Sequence, residues 1–431
     1  MLRTHYASAI TEKHEGTRVT VAGWVKTKRD LGKVLFIVLQ DGTGELQITA
    51  KRDQKKGVFE ALKSLGSEWV VVVTGTVAKQ KSAPGGRELV PDEVRVINKA
   101  ESPLPFDTHK FIDTELDTRL DHRYLDLRRP ETRAVFRVKD TIQTAFMGYF
   151  NEQDFVTVNP PVIVAAATES GAALFPISYF EREAFLAQSP QLYKQMLMAS
   201  GLDKVCIVTP VFRAEEHDTS FHLNEVVQMD IEVAFVENEE DVLRHLEGVV
   251  HRICEQVKKE CAAELELLGV KRPVPKLPIK RLTYDEALRL LEKDGMKLQW
   301  GEDLTREAEQ VLCKRFDPVI VTKWPTKARA FYSMPEPGNE KICRSYDLLF
   351  GGMEIASGAQ RIHDKNQLEA EMKKRKMSPK NFEFYVNAFR FGMPPHAGWS
   401  IGLERLTMVL TGKRNIREVS LHPRTRTRLT P

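Results

Sequence analysis

From Thr17 to Asn98 apolar and polar positions alternate in short runs, RVTVAGWV, KVLFIVLQD, GELQITA, EWVVVVTGTVA and EVRVIN, separated by glycine-rich turns. A period of two with many β-branched residues predicts strands, and the one stretch of helical spacing among them, FEALKSL, predicts a helix. Five strands and one helix describe a small closed barrel of the OB type, whose strand 2 and 3 face commonly holds an oligonucleotide. A purely structural barrel fits the same pattern.

The pattern changes after residue 100. ESPLPFDTHKFIDTELDTRLDHRYLDLRRP is punctuated by proline and dense in charge, which reads as a linker or hinge over 101–130. Beyond it Val135, Val138, Ile142, Phe146 and Phe150 fall at helical spacing, and VTVNPPVIV switches to a strand. Strands and helices then mix without a β-α-β alternation, so residues 131–431 are expected to form an α+β domain, an antiparallel sheet flanked by helices. Residues 237–314, with two helix-like runs, read as an insertion packing on that sheet.

Composition adds limits. The 431 residues are 42% hydrophobic with a formal charge of +4, so any nucleic-acid footprint must come from local clustering. Lys26, Lys28, Arg29, Lys33, Lys51, Arg52, Lys55 and Lys56 supply such a cluster, followed by Lys79, Lys81 and Arg87; a solvated basic face explains them equally well. Five cysteines without C-x-x-C spacing argue against a zinc ribbon and a disulfide framework. The amino-terminal stretch has no apolar signal region and no window suits a membrane span, so a cytoplasmic protein is expected. There is no Walker-type loop, no dinucleotide fingerprint after a strand and no H-E-x-x-H.

Two arginine-centred blocks carry candidate chemistry. In PVFRAEEHDTSFHLNEVVQMDIEVAF an apolar run ends at Arg213, beside Glu215. A guanidinium at a strand end suits a triphosphate because it grips phosphate oxygens in pairs, although a surface Arg–Glu pair would look the same. In GMPPHAGWSIGLERLTMVLTG a loop rich in glycine and proline leads to Arg405; Gly398 and Gly402 would let backbone approach a planar ligand, and a plain helix start explains them too.

These blocks resemble motifs 2 and 3 of the class II aminoacyl-tRNA synthetases, and DFVTVNPPVIV, with Pro161, resembles motif 1. Together with LDTRLDHRYLDLRRPE, ATESGAALFP, FLAQSPQLYKQM, EIASGAQRIH and the terminal RLTP, they are similar to the archaeal-type aspartyl-tRNA synthetases over essentially the whole chain. The resemblance implies ATP-dependent formation of aspartyl-adenylate and transfer of aspartate to tRNA. It puts Arg213 on the α-phosphate and the aspartate carboxylate, Glu215 on the adenine amino group, and Phe221, His222 and Leu223 in the ATP-binding turn. Phe221 departs from the arginine often found there. Gly402, Leu403, Glu404 and Arg405 would hold the nucleotide, with Arg405 stacking on adenine. Glu354 matches a Mg²⁺ ligand with Ser357 and Asp347 as companions; alone, Asp347 and Glu354 read as ordinary strand residues.

For the amino acid the resemblance implies Lys194 and Arg361 on the side-chain carboxylate and Glu169, Gln191 and Asp230 near the α-ammonium, with Ser357 alongside. Ser170 and Gly171 would lie on a closing loop. Arg29, Phe36 and Gln47 match anticodon contacts: a cation, a stacking aromatic and a base-reading amide. Phe36 by itself reads as a core residue. Enzymes restricted to tRNA(Asp) tend to carry tryptophan and lysine at the positions of Lys26 and Pro84; neither is present, which favours charging of tRNA(Asp) and tRNA(Asn) and implies an amidotransferase partner. The alternatives are an enzyme acting on tRNA(Asp) only, an asparaginyl enzyme or asparagine-forming paralogue, and an inactive RNA-binding relative. Motif 1 implies a homodimer.

Overall fold

The computed structural model describes residues 1–53, 55–108, 114–165, 174–215 and 219–431. The chain divides into two compact units, Met1–Arg128 and Arg129–Pro431.

In the first unit β1 (Arg18–Asp30), β2 (Val34–Gln40), β3 (Glu45–Lys51), β4 (Val70–Lys79) and β5 (Arg87–Asn98) close a barrel in the order β1-β2-β3-β5-β4. Alternation explains its core: Leu35, Ile37, Leu39, Leu46 and Ile48 point inward with Phe59 and Leu62 of helix α1 (Lys56–Lys63). The opposite residues of β2 and β3 face outward. β5 starts six residues before the predicted EVRVIN, and its early part is polar and carries Pro91 beside a register shift. Proline cannot donate to a ladder, so it sits where the ladder is already broken.

The second unit is built on an eight-stranded sheet. Its elements in chain order are α2 (Pro130–Asn151), β6 (Val156–Thr157), α3 (Gln191–Leu197), β7 (Lys204–Phe212), β8 (Glu225–Ala234), α4 (Glu240–Glu260), β9 (Lys280–Thr283) and α5 (Tyr284–Lys293). There follow α6 (Arg306–Arg315), β10 (Val319–Thr322), β11 (Ser345–Phe350), β12 (Met353–Gln360), α7 (Lys365–Lys374), α8 (Glu383–Arg390), β13 (His396–Gly402) and α9 (Leu403–Thr411). The strand order is β9-β10-β11-β12-β13-β8-β7-β6. Neighbours are antiparallel from β10 to β7, as predicted, while the edge pairs β9/β10 and β7/β6 are parallel. The chain is therefore α+β with a mixed sheet. Residues 237–314 contribute the edge strand β9 as well as helices. VTVNPPVIV is strand only at β6 and at Ile163–Val164, because Asn-Pro-Pro between them cannot continue a ladder.

Helices cover the sheet. α2 opens with Pro130, whose missing N–H costs nothing at a helix start, and buries Val135, Val138, Ile142, Phe146 and Phe150. Those residues meet α4, α9 and the inward side chains Met229, Ile231, Trp399 and Ile401 of β8 and β13. α3, α7 and α8 form a separate cluster around Leu192, Leu368 and Tyr385. The complementary residues of β8 and β13, Gln228, Asp230, Ser400 and Gly402, border a cavity on the other side. All five cysteines are buried and unpaired, and burial pushes the Cys254 and Cys313 thiols up to about 12. Among the described residues no helix is long and apolar enough to cross a membrane.

Candidate active site

Strand register builds the floor of the cavity. Asp230 pairs with Ser400, Ser400 with Ser357, and Ser357 with Asp347, so one polar row crosses β8, β13, β12 and β11. Ser400 donates to Asp230 Oδ2 at 3.0 Å. The cavity, about 360 Å³, is walled by Gln191, Arg213, Glu215, Phe221, His222, Leu223, Asp230, Arg329, Glu354, Ser357, Arg361, Gly402, Glu404 and Arg405, among others. Cations and carboxylates from six separated segments thus meet in one volume suited to a nucleotide-sized ligand.

Arg213 follows the end of β7. Its backbone N–H donates to Asn224 O at 2.8 Å, and Asn224 Nδ2 returns to Arg213 O at 2.7 Å and Glu215 O at 3.2 Å. Asn224, which sequence reasoning missed, therefore fixes the backbone of both motif residues. Among the described residues the Arg213 guanidinium has no ion pair, so its charge is available to an anion.

His222 lies between Thr219 and Arg405. Arg405 Nη2 can only donate, so His222 Nε2 accepts at 3.4 Å and Nδ1 gives its proton to Thr219 Oγ1 at 2.7 Å. Burial lowers the imidazole pKa, Glu215 pulls it back, and Arg405, Arg213 and Arg306 lower it further. Arg405 also donates to Glu354 O at 3.1 Å. Phe221, at the position where arginine was expected, carries the Arg306 guanidinium 4.2 Å from its ring centroid.

At the inner end Arg361 lies flat against the sheet. Nε and Nη2 donate to Glu232 at 2.9 and 3.2 Å, and Nη2 also reaches Gly398 O at 3.0 Å. A Cβ at Gly398 would fall 2.1 Å from Glu232 Oε2, so glycine there makes room for this carboxylate. At Gly402 a Cβ would have ordinary contacts. Burial alone would raise the Glu232 pKa, but Arg361 and Lys194 more than offset it and the carboxyl ends below its usual value. Its contribution to folding is full above that usual value and fades as pH falls through the lowered one. Asp230 differs: burial raises it despite Lys194.

Not every expected residue borders the cavity. Lys194 is completely buried behind Asp230, with Nζ donating to Asp230 Oδ1 at 2.8 Å and to Ile231 O and Trp399 O at 3.1 Å. Leu403 belongs to the helical core, while Glu404 does border the cavity but is already engaged, accepting from Lys139 Nζ at 2.8 Å and Val227 N–H at 3.0 Å. Asp347, at the far end of the polar row, is outside the cavity lining and is gripped on both oxygens by Arg329, which itself stacks on Trp324. Burial raises the pKa of both Asp347 and Glu354, against the pull of Arg329 and Arg405. Glu169, Ser170 and Gly171 lie outside the described residues. Arg329 and Arg306 are further residues that no local motif announced, while Glu232 stands inside the first arginine-centred block without having been given a role.

On the barrel Arg29 pairs with Phe36 and Phe36 with Thr49, while Thr27, Val38 and Gln47 form the adjacent row. Arg29, Phe36 and Gln47 therefore share the outward face, and Phe36 is not in the core. Gln47 Nε2 already donates to Glu88 Oε2 at 2.9 Å. Lys26 occupies a bulge in β1 with Nζ 2.5 Å from Glu45 Oε1, and Pro84 begins an exposed turn. The basic cluster is partly internal: Lys28 donates to the carbonyls of Lys63 and Leu65, and Arg87 pairs with Glu12 and Glu15.

Residues 115–426 match the model of class II tRNA synthetases (D, K and N), and residues 19–97 that of the OB-fold nucleic acid binding domain. The chain belongs to the class II tRNA synthetases of the D, K and N group. It is 46% identical to an aspartate--tRNA(Asp/Asn) ligase of Methanopyrus kandleri over 433 residues, covering all of both chains. Among solved structures, the asparaginyl-tRNA synthetase of Pyrococcus horikoshii complexed with asparaginyl-adenylate is 32% identical with a TM-score of 0.94, again covering all of both chains. A putative aspartyl-tRNA synthetase from Leishmania major is 30% identical with a TM-score of 0.90, covering all of this chain and 95% of that one.

Proposed function

We propose that this protein activates L-aspartate with ATP and transfers it to both tRNA(Asp) and tRNA(Asn). The observation that carries the reading is the cavity itself: Arg213 and Arg405 at one end suit a nucleotide, and Arg361 at the other suits a carboxylate. The relatives of 44–46% identity named as aspartate--tRNA(Asp/Asn) ligases support aspartate and the relaxed tRNA range.

In the first step the α-carboxylate of aspartate attacks the α-phosphorus of ATP, and pyrophosphate leaves. Arg213 neutralises the charge that builds on the phosphoryl oxygens, and Glu215 and Arg405 orient the adenine. Arg361 faces the substrate side chain, with Lys194 setting the charge of Asp230 from behind, and Gln191 and Asp230 border the ammonium. In the second step the terminal ribose hydroxyl of tRNA attacks the mixed anhydride and AMP leaves. The neutral His222 keeps Arg405 in place throughout.

Mg²⁺ fits the residues present. Among the described residues no group of three His, Cys, Asp or Glu side chains could cage a metal. Mg²⁺ needs only one or two carboxylates when phosphates and water complete its shell, and Glu354 with Ser357 offers that arrangement. Bound there, it would shield the phosphate charge; Asp347 lies beside Ser357 in the same strand row.

The barrel face of Arg29, Phe36 and Gln47 suits an unstacked anticodon loop, and Lys26 and Pro84 flank the tRNA choice. Charging of tRNA(Asn) with aspartate requires an amidotransferase downstream. Exposed Val156 and Ile163, on either side of Pro161, suit a homodimer contact. Aspartate, but neither asparagine nor lysine, should support ATP–pyrophosphate exchange by the purified chain; exchange driven by asparagine instead would overturn the substrate. Phe36→Ala should lower tRNA charging about 5- to 150-fold, given about 1–3 kcal/mol per stacked base, while leaving the exchange rate unchanged. Equal loss of both activities would place Phe36 in the fold rather than in tRNA binding.

A further inference from the structure

α6 is capped by Thr305, whose hydroxyl accepts from Ala308 N–H at 3.3 Å, and this cap fixes the first turn that carries Arg306. From there the Arg306 guanidinium reaches over Phe221, a residue of the cavity wall. A guanidinium held on an aromatic face keeps its N–H groups for other acceptors. Here most of them are unused. Nη1 makes one 3.3 Å contact to Glu309 Oε2, and that oxygen already accepts from Glu354 N–H at 3.2 Å. Nε is buried without a partner, and Nη2 makes no hydrogen bond among the described residues.

The surroundings show what such a cation is for. Arg306, Arg213 and Arg405 all bear on the His222 imidazole, so three guanidiniums gather around the part of the wall formed by Phe221 and His222. Arg213 is engaged by the α-phosphate in the reading above and Arg405 is tied to Glu354 and His222. The β- and γ-phosphates, which carry most of the charge of ATP, still need a cationic side chain beside any bound Mg²⁺. We propose that Arg306, held on the Phe221 ring, is the cation that binds the pyrophosphate portion of ATP. The assignment rests on the proposed ATP site and names a residue from outside the two arginine-centred blocks.

The test compares ligands with and without that portion, using the full-length chain in the absence of aspartate. Arg306→Ala should weaken binding of ATP and of inorganic pyrophosphate about tenfold, the loss expected for a charge-assisted hydrogen bond, and leave AMP binding unchanged. Arg306→Lys should fall between, retaining charge without the planar fork. In exchange assays the KM for ATP should rise with little change in the KM for aspartate. Equal weakening of ATP and AMP, or no change in either, would overturn the assignment. If the alanine variant loses its fold, Arg306→Lys and Arg306→Gln carry the same ligand comparison. Because the titrations contain no amino acid, their result stands apart from which amino acid the protein activates: failure of exchange in the unaltered chain would sink the proposed function, not this test.

Discussion

Arg213→Ala should lower aspartate-dependent ATP–pyrophosphate exchange by about 10²–10³-fold, the usual cost of removing a preorganised group that meets developing charge. The size follows from what Arg213 lacks. It has no carboxylate partner among the described residues, so its whole charge is available to the phosphoryl oxygens, and its backbone is already fixed by Asn224. For the same reason the fold should hardly notice the change, with stability within about 0.5 kcal/mol of the original, as for substitutions that break no internal network. Arg213→Lys should recover part of the rate, since charge returns without the two-pronged grip. Exchange kinetics beside thermal unfolding check both halves; a large drop in unfolding temperature would make Arg213 a structural residue.

Arg361→Leu should behave in the opposite way, costing activation of aspartate and also about 3–5 kcal/mol of stability, because it strands a buried charge. Glu232 is fully buried, and without Arg361 its remaining cation is Lys194 at 3.4 Å, whose ammonium is shared with Asp230 and two carbonyls. Combining Arg361→Leu with Glu232→Gln removes the stranded charge and should restore much of the stability without restoring aspartate activation. Urea unfolding and exchange assays on the single and double variants measure the two effects separately. A double variant as unstable as the single one would mean that packing, rather than charge, sets the cost.

What could be read from the sequence depended on how local the signal was. The barrel strands were legible because alternate residues such as Leu35, Ile37 and Leu39 are buried, while the polar end of β1 beyond Val25 and the polar start of β5 escaped. α2 announced itself through a regular apolar stripe. β9 did not, since four residues of edge strand inside a helical region carry no period. In the site, Arg213 and Arg405 stand in motifs with a recognisable neighbourhood. Arg329, Arg306 and Asn224 act through partners that only folding brings close, and no spacing encodes them. Lys194 shows the reverse: its motif was visible, while its burial behind Asp230 depends on the register of β8 and β13. The polar row from Asp230 to Asp347 was likewise hidden, because each strand contributes a single residue to it.

The central claim is tested most directly by charging purified tRNA(Asp) and tRNA(Asn) side by side with labelled aspartate and labelled asparagine. The account predicts aspartate on both tRNAs and asparagine on neither. Asparagine on tRNA(Asn) would contradict it, and aspartate confined to tRNA(Asp) would contradict the relaxed reading of Pro84.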